Sequence, residues 1–213
     1  VDEHALIDDY AVIDPATGER IATFPQASHA DIDAALDLAA SACSQWGRTT
    51  TAAQRSALLR RVGELHDERR DDLAAVIGRE MGKPLDEALG EVDFCREIYA
   101  FYADNAARFL ADEQVPLLHG SGTAVIRRGP VGALLGIMPW NFPYYQVARF
   151  AAPNLAVGNT IVLKHAPQCP ESAAALHAIF AEAGFPPGAY VAVNATVNQV
   201  AEMIATPASP GCR

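Results

Sequence analysis

The chain is predicted to be an α/β protein, with a helical amino-terminal region followed by an incomplete parallel sheet. Three observations predict this. Residues 28 to 110 carry apolar residues mainly at helical spacing. From Gly129 onward, short β-rich runs alternate with helix-period segments, which implies parallel strands joined by crossover helices in a doubly wound sheet. Half of the 213 residues are hydrophobic and 20% are charged, enough apolar material for a sizeable core.

The elements follow in chain order. Tyr10-Ala11-Val12-Ile13 and Ile21-Ala22-Thr23-Phe24 flank Asp14-Pro15-Ala16-Thr17-Gly18-Glu19, the pattern of two short strands around a turn. Ser28 followed by Asp31 reads as a capping box, and Ile32, Ala35, Leu36, Ala39 and Ala40 continue at helical spacing. Further helices are expected from about Thr51 to Gly78 and from Pro84 to about Leu110, with Met81-Gly82-Lys83-Pro84 as a helix stop and restart. Val115–Leu118 and Thr123–Arg128 flank His119-Gly120-Ser121-Gly122 and read as a second hairpin. Val131–Met138 reads as a buried strand, Tyr144–Val157 as a helix and Thr160–Leu163 as a strand ending at Lys164. Pro170–Ala183, Tyr190–Val193 and Val197–Ala205 complete the series as helix, strand and short helix.

Composition narrows the function. The net charge of −10, from 16 basic and 26 acidic residues, argues against nucleic acid or an anionic membrane as a general partner. Cys43, Cys95, Cys169 and Cys212 lie far apart without a CxxC pattern, so reduced thiols are expected. His4, His29, His66, His119, His165 and His177 are equally scattered, and no metal site is expected. No targeting segment is visible at the start and no apolar run approaches the ~20 residues of a membrane span, which makes the cytoplasm the default.

Chemistry concentrates at two strand ends. In Met138-Pro139-Trp140-Asn141-Phe142-Pro143 an apolar run turns sharply between two prolines around an Asn. An Asn amide left facing a cavity is the donor that a developing oxyanion needs, although a turn residue bonded to its own backbone has the same sequence pattern. Lys164 ends the next strand, and ligands of parallel α/β sheets bind beyond such carboxyl ends. The chain has neither GxGxxG nor a P-loop, so a dinucleotide would be held in another way.

Taken together, these segments resemble the aldehyde dehydrogenase superfamily, and the succinate-semialdehyde dehydrogenases within it. The resemblance rests on Asp14-Pro15-Ala16-Thr17-Gly18-Glu19, Met81-Gly82-Lys83-Pro84, Pro139-Trp140-Asn141-Phe142-Pro143 and Ala156-Val157-Gly158-Asn159-Thr160. Leu163-Lys164-His165-Ala166-Pro167 and Ala183-Gly184-Phe185-Pro186-Pro187-Gly188 extend it over essentially the whole chain. It implies oxidation of an aldehyde to a carboxylic acid with NAD or NADP, through a cysteine nucleophile and a glutamate-activated water. It implies a Rossmann-like cofactor domain, and an assembly into dimers or tetramers in which 112–129 is the oligomerisation hairpin.

By resemblance, Asn141 is the side-chain donor to the oxyanion. The cofactor would lie against Met138, Pro139, Trp140, Asn141, Lys164, His165, Ala166 and Pro167, with Lys164 reaching its adenine-side ribose. NAD-preferring members often carry Glu where Pro167 stands; losing that carboxylate permits a 2′-phosphate without selecting it. Tyr145 and Arg149, one helical turn apart, fall where substrate-binding residues are expected, and the Arg149 guanidinium suits a substrate carboxylate.

Residues 1–111 are then expected to form the hairpin and helices of the cofactor domain, and 130–205 its α/β part. None of the four cysteines falls at the family's nucleophile position, so the isolated chain is expected to be inactive, with weak nucleotide binding or assembly as the alternative role. Residues 206–213, Thr206-Pro207-Ala208-Ser209-Pro210-Gly211-Cys212-Arg213, lack the strand expected there. GC-rich codons for them, read one base later, give Pro-Arg-Val-Ala-Gly-Val-Ser, which suggests an aberrant tail produced by a frameshift near Thr206.

Overall fold

The structure, a computed structural model, describes residues 10–205; the tail at 206–213 lies outside them. Strands β1 (Ala11–Ile13) and β2 (Arg20–Thr23) form the expected antiparallel hairpin. Asp14 Oδ1 closes the turn by accepting from the Ala16 amide at 2.7 Å. Tyr10 is fully buried, and its hydroxyl donates to the Ala195 carbonyl at 2.9 Å, which pins the hairpin to the rest of the fold.

Helix α1 (His29–Thr49) starts at the capping box read from the sequence, with Ser28 and Asp31 each bonded to the other's backbone amide. The single helix expected over 51–78 is instead two, α2 (Ala52–Glu68) and α3 (Arg70–Met81), broken at Arg69 with φ −111° and ψ 20°. Neither Gly nor Pro marks that break. It comes from tertiary packing: Leu73, Ala74 and Ile77 of α3 turn into the common core, while Arg69 pairs with Glu182 further along the chain. Gly82 then ends α3 in the left-handed region at φ 71°, where a Cβ would also approach Pro15 to 3.1 Å. Helix α4 (Leu85–Phe109) restarts directly after Pro84 and buries Val92, Cys95, Tyr99 and Ala103.

The second hairpin is displaced from its expected place. Strands β3 (Glu113–Val115) and β4 (Ala124–Ile126) pair, whereas Leu117 and Leu118 fall in the loop. No residue of either strand is buried, so no core face fixes the register there.

The parallel sheet runs in the order β5 (Ala133–Ile137), β6 (Thr160–Lys164), β7 (Tyr190–Val193). Crossover helices α5 (Tyr145–Val157) and α6 (Pro170–Glu182) share the larger core on one face. Ile32, Ala35 and Ala39 of α1, with Val200 and Met203 of α7 (Val197–Ala205), cover Val162 and Val193 on the other. β6 is buried throughout, but the expected burial of residues 131–138 does not hold: Val131 is 72% exposed and Ile137 53%. β5 lies at an edge of the described sheet, which leaves one side of it open. Gly136 lets α5 lie close to the sheet, since a Cβ there would meet Phe150 at 2.7 Å and Leu163 at 3.0 Å. No helix among the described residues is long and apolar enough to cross a membrane.

Candidate functional site

The turn at residues 138–144 leaves the carboxyl end of β5 and enters α5. The register pairs Ile137 with Lys164, and the Met138 amide continues the pairing by donating to the Lys164 carbonyl at 3.0 Å. The two strand ends singled out by sequence are therefore neighbours. Pro139, Trp140, Asn141 and Phe142 are exposed, and Met138 is half-buried. The Asn141 amide forms no hydrogen bond among the described residues, so the self-bonded turn is not what the structure contains. An unengaged amide at a helix entrance can donate to an anionic oxygen.

The exposed tip is clamped from below by three groups. His165 is buried; its Nδ1 accepts from the Ala166 amide at 2.8 Å, which leaves Nε2 as the donor to the Pro143 carbonyl at 2.8 Å. Burial pushes this imidazole down to about 4, so it is neutral at pH 7. Both ring nitrogens are thus engaged inside the protein. Ala166 is likewise buried. The Cys169 thiol lies 3.9 Å from the Trp140 carbonyl, and burial raises its pKa, which keeps it protonated and inert.

The other two clamps were not singled out by sequence. Glu91 of α4 reaches across to the amino terminus of α5, where its Oε1 accepts from the Tyr144 amide at 2.9 Å and the Tyr145 amide at 3.1 Å. α5 has no side-chain cap from its own N-cap residue, so Glu91 does this work from another helix. Lys83 pairs with Glu91 Oε2, donates to the Asn141 carbonyl at 3.2 Å and stands 3.8 Å over the Phe142 ring. The two side chains are only 6% and 1% exposed. One signal was available: Glu91 sits on the apolar stripe Ala88, Val92, Cys95, an unusual place for an acid.

Lys164 is 7% exposed, with its ammonium 5.8 Å from the Tyr10 ring centre, and Pro167 is half-buried with its carbonyl accepting from the Ala11 amide at 3.2 Å. On the other side of the turn, the Arg149 guanidinium lies 5.9 Å from the Tyr145 ring. Both line a groove of about 500 Å³ with Phe94, Ile98, Phe101 and Glu97. A second groove of about 520 Å³ shares Phe94 and Tyr145 and reaches Phe142, the residue after Asn141. Tyr145 and Arg149 are thus continuous with the Asn141 turn along an aromatic surface. Among the described residues no group of three His, Cys, Asp or Glu could hold a metal ion.

Comparison with known proteins gives a consistent picture. The model of the aldehyde dehydrogenase family matches residues 1–211. The chain is 44% identical over 202 residues to succinate-semialdehyde dehydrogenase [NADP(+)] of Deinococcus radiodurans, covering 95% of this chain and 42% of that protein. It is 40% identical over 192 residues to succinate semialdehyde dehydrogenase [NAD(P)+] of Escherichia coli, covering 90% of this chain and 41% of that one. Succinic semialdehyde dehydrogenase from Streptococcus pyogenes, solved in complex with NADP+, superposes with a TM-score of 0.90 at 36% identity, over 93% of this chain and 43% of that one. The chain therefore spans about two fifths of the length of the relatives it matches.

Proposed function

Because the chain belongs to the aldehyde dehydrogenase family, we propose that it supplies the cofactor side and the oxyanion donor for NAD(P)+-dependent oxidation of succinate semialdehyde to succinate. The observation that carries this is an unengaged Asn141 amide on the turn that leaves β5, a strand whose last residue, Ile137, pairs with Lys164 at the carboxyl end of β6. When bound, the nicotinamide cofactor accepts a hydride. Lys164 fits that group because its ammonium stands at a strand end and an ammonium can donate to ribose or phosphate oxygens. Trp140, half exposed on the same rim, offers an indole face for it to pack on.

Asn141 donates its amide hydrogen to the aldehyde oxygen as that oxygen gains negative charge. Arg149, at the end of an aromatic groove, takes the distal carboxylate of the substrate with two parallel hydrogen bonds. Pro167 presents no carboxylate against a 2′-phosphate, so NADP is accepted as well as NAD, in keeping with the NADP(+) in the names of several relatives.

By the family resemblance, the nucleophile and the water-activating glutamate belong to segments other than these 213 residues, and the expected outcome is no turnover by the chain alone. Incubating it with succinate semialdehyde and NADP+ tests this directly: any cofactor reduction above a protein-free control would overturn it. In an enzyme completed with the remaining family segments, Asn141→Ala lowers kcat by about 10²–10³-fold. Arg149→Gln there lowers kcat/KM for succinate semialdehyde much more than for an uncharged aldehyde of similar length. Equal losses on the two aldehydes would remove Arg149 from the carboxylate role.

A further inference from the structure

We infer that Lys83 and Glu91 form a positioning pair that fixes Asn141 in place for the proposed reaction. The inference rests on the reading of Asn141 given above, but its geometry is independent of that reading. Asn141 itself is exposed, so its side chain gains no fixed direction from packing. What the fold can fix is the backbone from which the amide projects.

Lys83 holds that backbone at the Asn141 carbonyl and also stands over the Phe142 ring. Glu91 holds it three and four residues later, at the Tyr144 and Tyr145 amides. The two ions pair with each other inside the protein, so each is held in turn by its partner. Because both are anchored at the start of the same long helix, Lys83 just before α4 and Glu91 two turns into it, the turn is tied to the helical region and not only to the sheet.

A purely apolar contact would tolerate sliding of the turn. A lysine with three donors, spent on a carboxylate, a carbonyl and an aromatic face, does not. The pair adds no chemistry of its own, since both side chains are engaged with each other and with the backbone of the turn. Its effect on reaction would come through the direction of the Asn141 amide.

The test is ¹⁵N relaxation on the 213-residue chain, read at Asn141 and Phe142 against β6. In the unaltered chain these two backbone amides should have order parameters of about 0.85, as rigid backbone does. Lys83→Met should drop them below about 0.6 while β6 stays rigid. Since Lys83→Met leaves a buried carboxylate unpaired and can fail to fold, Lys83→Met/Glu91→Leu is the second variant; it removes both charges and should give the same local loosening. Asn141 and Phe142 remaining as rigid as β6 in the double variant would overturn the inference. So would a loss of order spread evenly over β6 and the turn, which is what a general stabilising role produces. Order parameters report positioning alone, so failure here is distinct from failure of the Asn141→Ala activity test.

Discussion

The two crossover helices of the sheet are entered in the same way but under different electrostatics. Glu91 closes the amino terminus of α5, and Glu80, at the end of α3, closes that of α6. Glu80 Oε1 accepts from the Glu171 amide at 2.6 Å, and its Oε2 accepts from the Ser172 hydroxyl at 2.5 Å. Both acids are buried, and both are reached from the helical region across to the α/β region. Glu91 has a buried lysine for a partner, whereas Glu80 pairs with no cation among the described residues. Burial therefore pushes the Glu80 carboxyl up to about 7, against hydrogen bonds that favour its anion. One helix entrance is held by a buried lysine–glutamate ion pair and the other by a carboxyl that titrates near neutrality. The ion-paired entrance carries the candidate site.

The largest expected effect comes from breaking the pair. Lys83→Met should cost about 3–5 kcal/mol in urea unfolding, because it strands the Glu91 carboxylate in the core. Lys83→Met/Glu91→Leu should recover most of that loss, and no recovery would mean that the lysine stabilises by packing instead.

The Glu80 entrance should show a pH signature in place of a large mutational cost. Between the ordinary 4.5 and about 7, the folded chain keeps a proton that the unfolded chain has released. Stability attributable to Glu80 therefore falls as pH rises through that window. Glu80→Gln should flatten this fall, and an unchanged slope would show that the carboxyl titrates normally.

Histidine acts with the opposite sign. His66 and His165 are buried and pushed down to about 4 from 6.5, so the unfolded chain takes up protons that the folded chain refuses. Their contribution is full above pH 6.5 and is lost as pH falls towards 4. His165→Gln should make the acid limb of stability shallower, as measured by urea midpoints at successive pH values.

The smallest effect serves as the reference. Ser28 caps α1 at the surface, and Ser28→Ala should cost only about 1 kcal/mol at any pH above 5. A larger loss would blur the distinction between exposed and buried caps.

The difference between the entrances also explains what could be read from sequence. Local signals were legible: the Ser28–Asp31 box, the Gly82-Lys83-Pro84 restart and the strand ending at Lys164 all lie within a few residues of what they control. The break at Arg69 was not, because no local signal accompanies it and distant packing sets it. β5 was misread as buried since an apolar run has the same pattern at an edge as at a centre. Within the site, sequence placed Asn141 and Lys164 at strand ends, while the groups bracing the turn escaped it. Glu91 acts on residues 53 and 54 positions away, and Lys83 on one 58 positions away. That both ring nitrogens of His165 are engaged inside the protein is equally invisible at a strand-end position in the sequence.

The most direct test of the functional account is a titration of the chain with NADP+, followed by the fluorescence of Trp140, with Lys164→Met measured in parallel. Trp140 sits on the proposed cofactor rim, whereas the other tryptophan, Trp46, is 3% exposed and packs against Phe185 in the core. Saturable quenching is expected for the unaltered chain, weakened at least about tenfold by Lys164→Met, equivalent to about 1.4 kcal/mol. Equal binding by the two, or no binding by either, would contradict the assignment of these strand ends to the cofactor.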